Sequence, residues 1–307
     1  MVLSINGSIQ AYLANLDHTQ KQINQAASEV SSGYRVQEPS NDPADTTSIL
    51  QEQADIGMNQ QVQANLGSVT SELNAADSAL QSAVQAVGSA QTLATEGATS
   101  TATASQRSNI AQQVAGLLQT LVGASNTTFN GRYIFSGDQD SSPAYKLDSS
   151  QPDGVQQLIS APATRVIEDG AGATISVAKT AQEIFDARNA DGSAASGNVF
   201  AALNSLLTAL NNNDTAGITQ ASSTLQSANT YLNQQLTSYG EAQDRVSAAT
   251  ALAQKFQTQQ QTELSGLRDA DIPSVALQLS QAQVGQQAAL SAEASIEQTK
   301  NLFSYLG

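Results

Sequence analysis

The sequence LGSVTSELNAADSALQSAVQAVGSA, residues 66–90, carries the clearest structural pattern of the chain. Its apolar residues recur in alternating steps of three and four, which places them on one face of an α-helix. These seam positions are Leu66, Val69, Leu73, Ala76, Leu80, Ala83, Val87 and Ala90. No charged residue lies between Asp77 and Glu96. Such sustained spacing predicts coiled-coil-like packing in a helical bundle rather than a mixed α/β domain.

Further helices are predicted on either side of this stretch. Asp42 has the features of a helix N-cap, because Pro43 follows at the first helical position and Asp45 adds a negative charge to the first turn. We expect the helix that contains the seam to begin here and to continue to about Gly97. The same periodicity predicts four later helices, over residues 104–126, 199–213, 215–266 and 274–303.

Residues 130–180 have a different character. Phe129, Tyr133 and Phe135 surround an Asn130-Gly131 dipeptide, which is typical of two-residue hairpin turns. Short β-like runs are separated by turn-forming Gly, Pro and Asp residues. These runs cover residues 133–135, 155–159, 165–167 and 174–178. The pattern predicts a small β-rich insertion between two helical halves.

The beginning of the chain carries a heptad of apolar residues that stops before Gly33. A lone helix in water has nothing against which to bury such a stripe, and helix formation alone does not offset the entropy of ordering the chain. We therefore predict that this segment is ordered only when it packs on a partner. The last segment of the chain has a weaker stripe, rich in Ala and Gln, so the same expectation applies there.

The predicted fold class is mainly α: an elongated helical bundle or rod with a small β-rich insertion. Five parts are expected along the chain. They are an N-terminal assembly arm (1–44), the first half of a helical rod (45–128), a β-rich outer domain (129–198), the second half of the rod (199–268) and a C-terminal assembly arm (269–307).

Composition excludes several classes of function. Twelve basic and 27 acidic residues leave a net charge of −15, which disfavours binding to nucleic acid and to anionic membrane surfaces. No run of 18 apolar residues occurs, so we predict no membrane-spanning helix. The first residues lack a basic segment followed by an uninterrupted apolar one, which predicts that the chain is exported, if at all, without a cleaved signal peptide.

No catalytic, metal or cofactor site is predicted. The chain has no cysteine, which excludes thiolate chemistry and disulfides, and His18 is its one histidine. His18 lies beside the seam of a predicted helix without clustered ligands, so we interpret it as a surface residue. The acidic pairs Asp138/Asp140 and Asp269/Asp271 lack the glycine and distal glutamate of a calcium loop. The protein is therefore predicted not to be an enzyme.

Four segments, in order along the whole chain, resemble the flagellin superfamily. The first is SSGYRV followed by PSNDPA, residues 31–36 and 39–44, whose prolines are more similar to the superfamily's hook–filament junction proteins than to flagellin. The second, residues 129–137, is similar to the motif at the entry to the β domain of the junction proteins. Its key residues are Phe129, Asn130, Gly131, Arg132, Tyr133, Phe135 and Gly137. The others are LRDADI, residues 267–272, and LFSYL, residues 302–306.

The resemblance implies a structural adaptor outside the cell, in the bacterial flagellum. Such proteins form a ring between the hook, through hook-associated protein 1, and the flagellin filament. They leave the cell through the flagellar type III export apparatus, and a chaperone holds their C-terminal arm before export. The motif LRDAD is also close to flagellin carboxyl domains, so flagellin itself is the alternative. A free coiled-coil adhesin, or a hydrolase within the insertion, would require a pocket with convergent polar groups near residues 130–180.

The arms are the predicted assembly interface. Two arrangements are open: the arms pack on each other and on the bundle in a closed monomer, or they pack between subunits. In either case the expected interface residues are Ile5, Ile9, Leu16, Ile23, Val30, Leu279, Ala282, Ala289, Ile296, Leu302 and Phe303.

Overall fold

The computed structural model describes residues 2–168, 172 and 174–298, with side chains from residue 10 to residue 295 within these ranges. In this part of the chain the predicted mainly helical class with a small β-rich region is confirmed. The helices are α1 (Val2–Ser32), α2 (Pro43–Ala98), α3 (Ala104–Ser125), α4 (Ala181–Phe185), α5 (Val199–Asn211), α6 (Thr215–Arg268) and α7 (Ile272–Gln298). The strands are β1 (Thr128–Phe129), β2 (Arg132–Tyr133), β3 (Tyr145–Leu147), β4 (Val155–Gln157), β5 (Val166–Glu168) and β6 (Thr174–Ser176).

Local sequence signals set the helix boundaries. Gly33 ends α1 with a left-handed backbone, φ 78°, and its N–H donates to the carbonyl of Glu29 at 2.9 Å. The predicted N-cap at Asp42 is confirmed, since its Oδ1 accepts the N–H groups of Ala44 and Asp45, both at 3.2 Å. At α3 the cap is a reciprocal pair between Thr103 and Gln106.

The contacts divide the chain into two units, which we call the terminal unit and the central unit. The terminal unit comprises the residues up to Met58 and those from Phe256 onward, and the central unit is Asn59–Lys255. The large hydrophobic core lies within the central unit, where the predicted seam of α2 is buried, with Leu66, Leu73 and Leu80 at most 1% exposed. Its other helices contribute Leu121, Leu203 and Leu225, also fully buried.

The insertion contains three separate two-stranded antiparallel sheets, β1–β2, β3–β4 and β5–β6. The predicted turn at Asn130-Gly131 closes the first, with φ 51° and 77° at the two residues and Phe129 paired with Arg132. Three of the four predicted β runs, 133–135, 155–159 and 174–178, extend two residues beyond the ends of β2, β4 and β6, and the run 165–167 is one residue out of step with β5. Strand β3, which pairs with β4 from Tyr145–Gln157 to Leu147–Val155, was not predicted.

An aromatic cluster joins the insertion to the helices of the central unit. Phe135 meets Phe185 edge to face at a centroid distance of 5.8 Å, and Tyr145 lies 5.0 Å from Phe200. All four rings are buried. The short helix α4 carries Phe185, and its capping box between Thr180 and Glu183 holds the ring in place.

The terminal unit has a much smaller core. Among the described residues it buries four apolar side chains, those of Ala26, Val36, Ile49 and Val275. Several larger ones remain exposed, of which Val284, Met58 and Leu50 are each more than 60% accessible. In the described part of the chain no helix has the length and apolar character needed to cross a membrane.

Candidate assembly site

The two arms pair with each other within the terminal unit. Helices α1 and α7 lie side by side in opposite directions. The hydroxyl of Tyr12 donates to the carbonyl oxygen of Ala289 at 3.3 Å, and the amide of Gln286 donates to Oε1 of Gln20 at 2.6 Å. This brings residues almost 280 positions apart in the sequence into direct contact.

Most of the predicted interface residues lie along this helix pair, and none of those whose side chains the structure describes is fully buried. Leu16 and Ile23 of α1 are half-buried, and so are Leu279, Ala282 and Ala289 of α7. Val30 is 36% exposed. The side chains of Ile5, Ile9 and Ile296, and the whole of Leu302 and Phe303, lie outside the described residues. The small Ala26, three residues after Ile23 on α1, is buried at 6% exposure.

A groove of about 490 Å³ runs between the paired arms. Small residues, Ala26, Ala282 and Gly285, line it beside polar ones. Its other lining residues, mostly glutamines, are Thr19, Gln22, Gln25, Glu29, Gln278 and Gln281. The groove is therefore suited to hydrogen bonding more than to a dry apolar contact.

A set of contacts that we call the clasp joins the bases of the two arms, residues 33–36 and 267–270. The backbone N–H of Arg35 donates to the carbonyl of Arg268 at 2.8 Å, and that of Ala270 donates to the carbonyl of Gly33 at 2.9 Å. Tyr34 and Asp269 form an antiparallel β-bridge. Two segments that carry separate motifs in the sequence thus form one structure.

The Arg35 side chain extends the clasp to the start of α2. Its guanidinium donates to Asp42 Oδ2 at 3.0 Å, to Asp45 and to the carbonyl of Leu267 at 2.6 Å. These bonds, first that to Asp45 and then that to Asp42, raise the pKa of Arg35. The pKa of Asp42 is lowered, first by the hydrogen bond from the backbone N–H of Asp45 and then by the one from Arg35. One cation therefore holds α2 beside the end of α6.

Tyr34 and Arg268 close the other side of the clasp. The Arg268 guanidinium carbon lies 4.0 Å from the centre of the Tyr34 ring, a cation–π contact. Its Nε also donates to Asp269 at 3.0 Å, and Ser265 donates to the same carboxylate at 2.7 Å. These bonds, with that of Ser265 the larger cause, lower the pKa of Asp269. The contact between these two segments could not be predicted from the sequence, because no local pattern connects them.

In the central unit, the predicted entry motif of the β domain acts as a structural corner. Phe135 inserts its ring into the core, and Arg132 pairs with Asp140 at 2.9 Å. Gly137 has φ 61°, and a Cβ there would lie 2.5 Å from the carbonyl of Pro162. Only glycine fits at this position without a shift of the backbone.

A cavity of about 430 Å³ lies beside the motif in the central unit. Its charged groups are matched within it: Glu72 pairs with Arg165, and Arg132 with Asp140. The Asp138 carboxylate accepts the N–H and hydroxyl of Thr164 at 3.1 and 3.0 Å. The Glu72–Arg165 pair ties the insertion to α2, and the other two contacts lie within the insertion. All three stabilise the structure locally.

A buried ionic network organises the rest of the insertion. The Asp186 side chain is fully buried and accepts bonds from Tyr145 at 2.9 Å, from Asn198 at 2.6 Å and from Arg188 at 3.0 Å. Arg188 also donates to Asp153 at 2.6 Å. Burial, and secondly the charge of Asp186, raise the pKa of Tyr145. Its hydroxyl therefore keeps its proton and donates it in the hydrogen bond to Asp186. Within the described residues no group of three or more His, Cys, Asp or Glu could hold a metal ion.

Comparison with known proteins agrees with this architecture. The family model for the bacterial flagellin N-terminal helical region matches residues 3–140. The flagellar hook-associated protein 3 of Escherichia coli (strain K12) is 26% identical over 213 residues, which cover 66% of this chain and 64% of that protein. The chain thus aligns with a little under two thirds of the length of this curated relative.

Solved structures share the fold. A structure described as that of a flagellar hook-associated protein from Vibrio parahaemolyticus superposes with a TM-score of 0.65 at 18% identity, over 75% of this chain and all of that one. The structure of flagellar hook-associated protein 3 from Legionella pneumophila gives 0.62 at 13% identity, over 71% of this chain and 98% of that one. The predicted resemblance is confirmed: the chain matches the family model of the bacterial flagellin N-terminal helical region over residues 3–140 and shares its fold with flagellar hook-associated protein 3.

Proposed function

We propose that this chain is a non-enzymatic structural adaptor of the bacterial flagellum. It forms the junction ring between the hook, where it contacts hook-associated protein 1, and the flagellin filament. In this proposal it acts outside the cell, after export without a cleaved signal peptide and with a chaperone on its C-terminal arm. The flagellin N-terminal region and the likeness to hook-associated protein 3 support this assignment.

The observation that carries the proposal is the small core of the terminal unit. Its described residues bury four apolar side chains, whereas larger ones such as Leu13, Leu277 and Val284 are more than half exposed. Two paired helices can cover only one side of each other, so these residues remain in water in the single chain. Contact with neighbouring subunits would bury them, and this burial is the driving force that we assign to assembly.

Deletion of the arms tests the mechanism. We expect variants that lack residues 1–30 or 275–307 to keep the central unit folded and to lose incorporation into flagella. Electron microscopy and motility of cells that express each variant would measure this. The proposal fails if either shortened protein assembles like the full chain.

Flagellin, the filament subunit, is the alternative. The two functions differ in polymerisation: a junction protein should add to hook ends without forming long filaments by itself, whereas flagellin elongates once seeded. Incubation of the purified chain with hook fragments, followed by electron microscopy, distinguishes them. Long filaments made of this chain alone would favour flagellin.

A further inference from the structure

Two carboxyl groups of the terminal unit face each other between α2 and α6. Glu52 lies on α2 and Glu263 on α6, and their carboxyl groups are within hydrogen-bonding reach. Oε2 of Glu52 is buried and has no hydrogen-bond partner; it is the one such side-chain atom among the described residues. A carboxylate oxygen of this kind is costly to bury, so its surroundings require an explanation.

The neighbouring groups make the cost larger. The charges that act on Glu52 are those of Glu263 and of Asp55, one turn along α2, and both are acidic. Two nearby amides donate to the other two acids: Gln259 donates to Glu263 at 2.9 Å and Gln51 to Asp55 at 2.9 Å. The negative charges of two carboxylates within hydrogen-bonding reach repel each other, which disfavours the state in which Glu52 and Glu263 are both ionised.

A proton is the ligand that this arrangement fits. The described residues contain no group of acids able to hold a metal ion. The Oε2 atom has almost no accessible surface, so it does not admit a bulky cationic side chain. We propose that Glu52 holds a proton and hydrogen-bonds the carboxyl group of Glu263, which forms a pH-sensitive brace between α2 and α6 that is tight in acid and loosens as the pH rises.

The direction follows from linkage. Burial, together with the Glu263 and Asp55 charges, raises the pKa of Glu52 in the folded chain. A group whose pKa is raised on folding stabilises the fold while it is protonated, and this contribution is lost as the pH rises through the folded pKa. The inference does not depend on the proposed flagellar role, because it concerns the stability of the single chain.

Hydrogen exchange of the full-length monomer tests the brace. Protection of residues 47–58 and 256–266, corrected for intrinsic exchange rates, would be measured from about pH 4, near the unfolded pKa of a glutamate, to pH 8. We expect protection in the wild-type chain to fall by roughly threefold or more over this range, since each unit of raised pKa is worth about tenfold. Glu52→Gln and Glu263→Gln should each flatten the profile, because an amide can donate the missing hydrogen bond at every pH.

Glu241→Gln is the matched control. Glu241 is exposed in the middle of α6, and the substitution removes the same charge from the same helix. This variant should keep the wild-type pH dependence. A flat wild-type profile, or an unchanged slope in both Glu52→Gln and Glu263→Gln, would overturn the proposal.

Discussion

At the scale of single residues, Arg35 links three segments of the terminal unit through one guanidinium. Hydrogen bonds that involve a charged group contribute about 1.5–3 kcal/mol, but this side chain is 41% exposed and water screens part of the effect. We therefore expect Arg35→Ala to lower the free energy of unfolding of the terminal unit by about 1–2 kcal/mol. Hydrogen exchange of α1 and α7 in the monomer would measure the loss.

Lys21→Ala provides the control for Arg35. Lys21 pairs with Asp17 one turn away on α1 at 2.7 Å, and both side chains are mostly exposed. Removal of this pair should change the stability by less than about 0.5 kcal/mol. Equal losses in the two variants would mean that the clasp adds nothing beyond an ordinary surface ion pair.

Asp42 should give the clasp the opposite pH dependence to that of the Glu52 brace. Its pKa is lowered, first by the N–H of Asp45 and then by Arg35. A lowered pKa stabilises the fold above the unfolded value, and this contribution is lost as the pH falls through the folded value. We expect hydrogen-exchange protection at the start of α2 to decline below about pH 4. Asp42→Asn, which keeps the cap without the charge, should show a weaker decline.

Single residues could be predicted from the sequence where their role is local. The cap at Asp42 and the turn at Asn130-Gly131 each depend on neighbours within three positions, and both predictions are confirmed. Arg35 could not be assigned in this way. Its acceptor at Leu267 is 232 positions away, and only the folded chain brings the two together.

At the scale of secondary-structure elements, the hairpin β1–β2 depends on the backbone of its turn. Gly131 has φ 77°, and a Cβ there would meet no atom within 4 Å. Substitution by alanine thus introduces backbone strain without a clash, and we expect Gly131→Ala to destabilise the central unit by about 1–2 kcal/mol. Urea denaturation followed by near-ultraviolet circular dichroism of the buried aromatic cluster would measure it.

Gly116→Ala is the counterpart of that substitution within a helix. Gly116 is exposed in α3 and also has open space around its Cα. Because alanine is the better helix former, this variant should gain about 0.5–1 kcal/mol. A loss of similar size in both variants would show that the sign of φ is not the cause.

The long helices were predicted well because the spacing of their apolar residues repeats over many turns, whereas the shortest elements contain no such repeat. On α3, Leu118 is buried in the core and its neighbour Leu117 packs half-buried against the same core, so this helix contacts the core through a wide face. Helix α4 was missed although Thr180 and Glu183 form its capping box. Five residues are too few for periodicity to appear.

At the scale of the whole molecule, the arms should lose order together. Each of α1 and α7 has the other as its helical partner in the terminal unit. Deletion of residues 275–307 should therefore abolish hydrogen-exchange protection in α1 of the monomer, although α1 itself is intact. Protection in α3 and α5 of the central unit should not change. Retained protection in α1 would mean that this helix is stable without α7.

The division into two helical halves and an inserted β-rich domain was predicted from the sharp change of composition near residue 129, and its bounds stay a prediction. The prediction that the arms order only on a partner stays a prediction until exchange is measured. The pairing of α1 with α7 was one of two open arrangements, since a heptad specifies that a helix needs a partner but not which one.

The clasp also constrains how the length of this protein can change in evolution. The N-terminal arm precedes the clasp in the chain and the C-terminal arm follows it. A residue inserted into either helix rotates the part of that helix beyond the insertion, as seen from the clasp, by about 100°. An insertion in α1 would therefore turn Leu16 and Tyr12 away from α7 unless the other arm compensated. We expect natural length variants of the arms to differ by whole heptads, and insertions in one arm to be accompanied by matching insertions in the other.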